Sequence, residues 1–223
     1  GGINSEVQVS TTLAGAWETL EFDFSTAVSP INLANTYDKV SIFFDFNTAG
    51  SGKKYYNDDV MMVPFVLAKP DLPITFQDTV TINHDIGPFG GNSSHLVVDP
   101  TNAANTVLQS IKTTGAQTWA GTTMGASGLA TAIPLSATQT KMSVRVWSPD
   151  ANTPILLKVE DASNGSISSE VLVNTTMAAA WETLEFDFSA GTPALNLANT
   201  YDKVSIFFDF ITAGSGKKYY ADD

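Results

Sequence analysis

Two stretches decide the fold, Trp181-Glu-Thr-Leu-Glu-Phe-Asp-Phe188 and Lys203-Val-Ser-Ile-Phe-Phe-Asp-Phe210. In the first, Leu184, Phe186 and Phe188 alternate with polar residues, and the second alternates in the same way. Successive side chains of an extended chain point to opposite faces, so this period of two predicts strands with one buried and one exposed face.

The same alternation recurs along the chain, and turn-forming Gly, Ser, Asn, Asp and Pro lie between the alternating segments. Many short strands with turn-rich connections predict an all-β fold, a two-sheet antiparallel β-sandwich of the jelly-roll type. The predicted strands cover residues 74–82, 94–98, 106–112, 118–123, 140–148, 155–160, 169–174, 182–188, 203–210 and 217 onward.

The chain repeats itself. Residues 1–59 align with residues 165–223 without a gap at an offset of 164, and 14 positions differ, which leaves 45 of 59 identical. A period of this length suits a whole domain rather than a solenoid unit. The sequence therefore predicts a tandem repeat with a period of about 164 residues.

The repeat sets the predicted boundaries. Residues 1–66 form the C-terminal half of one β-sandwich repeat, with 60–66 as its last strand, and the two-proline stretch 67–73 is a linker. Residues 74–223 form a second repeat that lacks its final strand. Two interpretations stay open: an excerpt of a longer repetitive protein, or head-to-tail strand exchange between chains.

Composition narrows the function classes. The 23 Asp and Glu outnumber the 11 Lys and Arg, and the net charge of −12 disfavours nucleic acid and anionic membrane surfaces as partners. The absence of Cys excludes disulfides and thiolate chemistry. No apolar run is long enough for membrane insertion.

Aromatic and hydrogen-bonding side chains of the strands suggest a sugar-binding sheet face. Flat rings stack on the C–H faces of sugars, while charged and amide groups bond to the hydroxyls. The alternative is structural: Arg145 pairs with Asp187 or Asp209, and Trp119 and Trp147 pack under loops. The candidate carbohydrate-binding residues are Trp119, Arg145, Trp147, Lys158, Glu185, Asp187, Phe207 and Asp209.

An enzyme is not expected. Glu185 and Asp187 share a strand face at about 6.6 Å, a spacing compatible with a glycosidase pair. The segment lacks the third acid of the Glu-x-Asp-x-x-Glu signature, and Glu21 and Asp23 repeat the pair as a scaffold would. The sequence therefore predicts no catalytic residues.

The stretch 181–188, followed about 30 residues later by Tyr219-Tyr-Ala-Asp-Asp223, resembles the C-terminal half of jelly-roll carbohydrate-binding modules. Such modules accompany bacterial polysaccharide-degrading enzymes and cell-surface proteins, notably those of marine Bacteroidetes. Residues 72–78, 89–91 and 97–100 resemble their N-terminal half.

The resemblance implies a structural Ca²⁺ that ties the first strand to the last. Its ligands here would include Asp78 and Asp222, with Asp58 in the first copy, and Gln77 stands where an acidic residue is usual. The alternative is that these are solvated acids beside a turn.

Together these features predict a non-catalytic, carbohydrate-binding-type repeat of a large secreted or cell-surface protein. Its partners would be a polysaccharide or cell-surface glycan and neighbouring repeats of the same protein. One alternative is an adhesin-like structural spacer of a surface fibre that binds no sugar. Another is an accessory domain of a polysaccharide hydrolase.

Overall fold

A computed structural model describes residues 3–62, 67–79 and 82–223, and the chain divides into two units, Gly1–Met62 and Val63–Asp223. Among the described residues, no helix is both long and apolar enough to cross a membrane.

The second unit is all-β, as predicted, with two antiparallel five-stranded sheets that form a sandwich. The first sheet has the order β1-β4-β9-β6-β7, and the second has the order β2-β3-β10-β5-β8. The strands are β1 (Gly87–Phe89), β2 (Asn92–Asp99), β3 (Asn102–Lys112), β4 (Gly121–Met124), β5 (Lys141–Ser148), β6 (Pro154–Asp161), β7 (Asn164–Asn174), β8 (Ala180–Asp187), β9 (Lys203–Phe208) and β10 (Lys217–Asp222).

The core lies between the sheets and uses the apolar positions of the alternating pattern. The first sheet contributes the buried residues Ile206 and Phe208 of β9 to this core, and the second sheet contributes Leu108, Val146 and Phe186. Burial of one face of every strand is the main favourable contribution to the stability of such a sandwich. The opposite faces of the two sheets point away from this core.

Most predicted strands are confirmed, and one is wrong. The described residues of the predicted strand 74–82 form no strand, apart from an isolated bridge between Ala68 and Ile82. Ile74 and Phe76 are buried in the core, so the segment contributes packing without joining a sheet. An alternating apolar pattern indicates which residues are buried. In this segment the residues are buried without pairing to a neighbouring strand, so the pattern predicted a strand that does not form.

The first unit contrasts with the second. Residues 3–62 contain no strand, and their regular structure is a 3₁₀-helix at Phe24–Thr26. Of the predicted strand 60–66, residues 60–62 are not a strand, and 63–66 lie outside the described residues. The boundaries 1–66, 67–73 and 74–223 stay a prediction.

Equivalent residues of the repeat differ in burial between the units. Phe44 is 44% exposed, whereas its equivalent Phe208 is 2% exposed. Val40 is 75% exposed, whereas Val204 is 2% exposed. A strand needs neighbouring strands for its hydrogen bonds, and in the second unit β4 and β6 supply these for β9. The sequence of the half-repeat alone is therefore not sufficient for strand formation.

Candidate functional site

The exposed side of the first sheet carries an open cleft of about 500 Å³, called the first-sheet face below. It is lined by Phe89, Trp119, Thr123, Lys158, Glu160, Glu170, Ser205, Phe207 and Phe210.

A polar row crosses this face at right angles to the strands. Thr123 of β4 is directly opposite Ser205 of β9, which is opposite Lys158 of β6, which is opposite Glu170 of β7. Neighbouring strands lie about 4.8 Å apart, so the row spans about 14 Å. Its hydroxyl, ammonium and carboxylate groups include both hydrogen-bond donors and acceptors, although Ser205 itself is only 1% exposed.

The charges along the row are partly paired. Glu160 accepts from Lys158 at 2.9 Å and from Lys203 at 3.5 Å. In the described part of the chain, Glu170 has no ion-pair partner. The two hydroxyls of Thr123 and Ser205 lie 2.9 Å apart. The face thus keeps one unpaired carboxylate beside an ordered set of polar groups.

Aromatic rings form the other part of the face. Trp119 stacks on Phe89 at a centroid distance of 6.2 Å and an angle of 16°, and Phe89 packs edge-on against Phe207 at 5.3 Å. Phe210 packs against Phe207 at 5.7 Å. Trp119 is 51% exposed, so much of its surface stays accessible above a fixed aromatic base.

Two glycines make this arrangement possible. A Cβ at Gly121 would lie 2.9 Å from atoms of both Phe89 and Phe207, so the two rings can meet only above a residue without a side chain. Gly90 has a φ of +67°, and a Cβ there would lie 3.0 Å from the Trp119 ring.

A buried lysine holds the backbone under the aromatic residues. The Lys112 ammonium donates to the carbonyl oxygens of Asp209 at 2.8 Å, Thr118 at 3.0 Å and Phe208 at 3.3 Å. Burial lowers the pKa of Lys112, and the negative charge of Asp209 opposes this shift. Thr118 directly precedes Trp119, so Lys112 fixes the turn that presents the exposed tryptophan.

The prediction of a single site face is wrong, because the predicted residues divide between two sheets. Lys158 and Phe207 lie on the first-sheet face with Trp119, whereas Arg145 and Trp147 lie on β5 of the second sheet.

On the outside of the second sheet, the polar groups are mostly bonded to one another. Arg145 donates to Asp222 at 2.9 Å, and its guanidinium lies 4.1 Å from the ring centre of Trp181. Trp147 packs edge-on against Tyr220 at 5.5 Å. The ion-pair alternative is thus realised, but with Asp222 as the partner instead of Asp187 or Asp209.

Asp99 belongs to the same network. Burial favours a higher pKa for Asp99, but hydrogen bonds from Thr101, Asn105 and Trp181 outweigh it and hold the pKa below its usual value. A carboxylate stabilised by so many protein donors has little capacity left for a ligand.

The remaining predicted residues also have partners within the protein. Glu185 pairs with Lys141 at 2.6 Å on the surface of the second sheet. Asp187 accepts from the Ser189 amide at 2.9 Å and caps the short 3₁₀-helix Phe188–Ala190. Asp209 accepts from the Tyr219 hydroxyl at 3.3 Å, away from the cleft lining.

Sequence reasoning missed several residues of the first-sheet face. Ser205 had the same strand parity as Phe207, and this signal was available. No sequence signal pointed to Glu170. It lies opposite Lys158 only because of the register in which β7 pairs with β6, and the sequence does not show that register. The missed lining residues are Phe89, Thr123, Glu160, Glu170, Ser205 and Phe210.

The residues named for the implied Ca²⁺ each have a contact within the protein. Asp222 is already paired with Arg145, and the main-chain oxygen of Asp78 lies 2.8 Å from His84 Nε2. Asp58 belongs to the first unit and bonds to the Asp59 amide. Within 3–62, 67–79 and 82–223, no three His, Cys, Asp or Glu side chains are grouped as a metal site. Ca²⁺ also takes main-chain and Asn or Gln carbonyl oxygens, and Asp222 Oδ1 is buried with no hydrogen-bond partner among the described residues. The Ca²⁺ site therefore stays a prediction.

No protein-family model matches the sequence, and no curated protein matches it. Solved structures do show a likeness. A family 11 carbohydrate-binding module from Clostridium thermocellum, in complex with a beta-1,3-1,4-mixed-linked tetrasaccharide, is 16% identical, with 67% of this chain and 89% of that chain covered and a TM-score of 0.44.

A family 22 xylan-binding domain from Paenibacillus barcinonensis is 14% identical, covers 67% of this chain and 87% of its own, and has a TM-score of 0.40. An exo-beta-agarase is 12% identical, with 66% of this chain and 24% of that chain covered and a TM-score of 0.45. Values this low do not carry an argument about ligand or residue roles.

Proposed function

We propose that the second unit is a non-catalytic, carbohydrate-binding-type module that binds polysaccharide through the first-sheet face. The observation that carries the proposal is the half-exposed Trp119, stacked on Phe89 beside a polar row in an open cleft. A sugar has apolar C–H faces and polar hydroxyl groups. An exposed ring on a fixed aromatic base can stack on the C–H faces, and the neighbouring polar groups can bond to the hydroxyls.

The two halves of the face have different roles in this proposal. Trp119 and its aromatic base contact the C–H faces of the sugar rings. Thr123 and Lys158 offer hydrogen bonds to the hydroxyls, and Glu170 accepts from them. Ser205 is 1% exposed, so its hydroxyl holds Thr123 in place and does not itself meet the sugar. Because the polar row spans four strands, it suits a chain of sugars rather than a single ring.

We extend the proposal to the context of the module. The segments 1–59 and 165–223, which are identical at 45 of 59 positions, support a tandem repeat in a secreted or cell-surface protein, with neighbouring repeats as further partners. A structural spacer without sugar binding is the second candidate, since the outer network of Arg145, Asp222 and Trp181 favours a scaffold role for the second sheet. An accessory domain of a polysaccharide hydrolase is compatible with the same face.

The test is binding to a panel of soluble neutral and anionic plant and algal polysaccharides, measured by affinity electrophoresis and isothermal titration. The wild-type protein is expected to bind at least one of them. Trp119→Ala should weaken that binding about tenfold or more, because it removes the accessible stacking surface. The thermal midpoint should change little, since the indole is half exposed.

Trp17→Ala is the matched control, because Trp17 is 70% exposed in the first unit and lies on no part of the first-sheet face. It should leave the affinity unchanged. Absence of binding across the whole panel would support the spacer. Equal losses in both variants would refute the assignment of the site.

A further inference from the structure

The strands in the C-terminal half of the second unit, residues 165–223, do not pair with one another. Among the described strands, β9 lies between β4 and β6, and β10 lies between β3 and β5. The edge strands β7 and β8 pair only with β6 and β5. All the strands that serve as neighbours therefore belong to the N-terminal half, residues 67–164. Because a lone strand leaves its main-chain hydrogen bonds unmade, a C-terminal half depends on an N-terminal half for its sheet structure.

The first unit keeps the residues that an N-terminal half would bury. Fifteen residues of 165–223 are buried in the second unit, and fourteen of them are identical at the equivalent positions of 1–59. The exception is Ala221, whose equivalent is Asn57. The other 13 of the 14 differences between the copies lie at positions that are not buried in the second unit. The first copy thus retains the surface that fits an N-terminal half.

The retained apolar residues are exposed in the first unit. Phe43 is 68% exposed and Tyr56 is 71% exposed, whereas their equivalents Phe207 and Tyr220 are 8% and 9% exposed. Large apolar side chains in contact with water favour association with a partner that covers them. The second unit shows what such a partner is, because strands β1 to β6 surround the equivalent residues there.

Part of the bound conformation is already present in the first unit. Phe44 stacks on Tyr55 at a centroid distance of 5.3 Å and an angle of 8°. The equivalent rings of Phe208 and Tyr219 stack at 5.1 Å and 13°, and this pair joins β9 of the first sheet to β10 of the second. The two segments that would enter opposite sheets are therefore already in contact, which lowers the cost of ordering them on binding.

We propose that residues 3–62 bind a separate polypeptide that carries an unpaired N-terminal half-repeat, with the sequence pattern of residues 67–164, and complete a second β-sandwich with it. The partner supplies the equivalents of β1 to β6, and the first unit adds its strands between them. Residues 67–164 of the same chain are already paired with 165–223, so the partner is a further half-repeat. The inference is independent of sugar binding.

The test uses the full chain and a probe that consists of residues 67–164 carried on maltose-binding protein. The two are unfolded in urea and refolded together, with maltose-binding protein alone as the blank. Light scattering after size exclusion should show a 1:1 complex. The indole N–H of Trp17 should then exchange with solvent as slowly as that of Trp181, which donates to Thr101 at 3.0 Å. If the probe is insoluble alone, co-expression and co-purification through a tag on the carrier replace the refolding.

Three variants of the full chain show where the probe binds. Val40→Asp should weaken the complex more than tenfold, because its equivalent Val204 is 2% exposed. Leu33→Asp is the matched control and should bind as the wild type does, since Leu33 is 93% exposed and its equivalent Leu197 is 48% exposed. Asn57→Ala should tighten the complex about tenfold, because it removes an amide from a position that becomes buried.

Two results would overturn the proposal. One is the absence of a complex with the probe by both routes. The other is equal binding by the wild-type protein and Val40→Asp, which would mean that the probe exchanges with strands of the second unit instead of binding the first.

Discussion

At the scale of single residues, the environment of a side chain decides its role more than its type. Trp119 is 51% exposed above a ring that holds it, whereas Trp181 donates to Thr101 and lies under a guanidinium. Lys158 faces the cleft, whereas Lys112 is 1% exposed and bonds to three carbonyl groups. The same residue types line an open cleft in one place and support the scaffold in another.

Lys112 gives a prediction at this scale. Lys112→Met keeps the length of the side chain but removes a charged donor from three carbonyl oxygens, of which those of Thr118 and Asp209 keep a main-chain amide donor. The free energy of unfolding should fall by about 2 kcal/mol. Urea unfolding at neutral pH measures this change. Lys218→Met is the control, since Lys218 is exposed on β10 and its loss should change the free energy of unfolding little. Equal effects of the two substitutions would contradict the role given to Lys112.

At the scale of elements, comparison of the two copies of the repeat separates structure that depends on neighbouring residues from structure that depends on distant strands. Asp23 and Asp187 each accept from the serine amide two residues later, and each caps a short 3₁₀-helix. Glu18 and Glu182 likewise accept from equivalent threonine amides. These local motifs form in both units, but strands form in only one of them among the described residues.

This difference explains how far the sequence could predict the fold. The alternation in 203–210 correctly predicted a strand, observed at Lys203–Phe208. The prediction of an exposed face was wrong there, because Ser205 and Phe207 on the outer side of β9 are buried as well. The alternation could not show that Lys158 is opposite both Ser205 and Glu170, because register depends on which strands meet. The predicted site was divided between two sheets for the same reason. The alternating pattern shows which face of its own strand a residue lies on, but it does not show to which sheet that strand belongs.

Asn57 and Ala221 occupy equivalent positions of the repeat, and this difference gives a prediction for strand β10. Ala221 is 1% exposed and lies opposite Leu108 and Val146 in the core of the second sheet. Ala221→Asn should lower the free energy of unfolding by about 3 kcal/mol, because it buries an unpaired amide and overfills the site. The reciprocal Asn57→Ala, at an exposed position, should leave it unchanged. Chemical denaturation of the two variants checks this, and a stable Ala221→Asn protein would contradict the packing of β10.

At the scale of the whole molecule, the second unit presents two unlike faces on one core. The first-sheet face has an exposed tryptophan, an unpaired Glu170 and an open cleft. The outer surface of the second sheet has its Arg145, Asp99 and Asp222 engaged with one another and with Trp181. Accessible polar and aromatic groups therefore lie on the first-sheet face, where we propose that a ligand binds, whereas the polar groups on the other side bond to one another.

The four tryptophans of the chain make the difference between the two faces directly measurable. Their indole N–H signals report on the first unit (Trp17), the first-sheet face (Trp119) and the second sheet (Trp147 and Trp181). Two-dimensional ¹H–¹⁵N spectra recorded during titration with the polysaccharide that binds in the panel should show the Trp119 signal moving, with the other three nearly fixed. Movement of Trp147 and Trp181 while Trp119 stays in place, or no movement with any polysaccharide, would contradict the account.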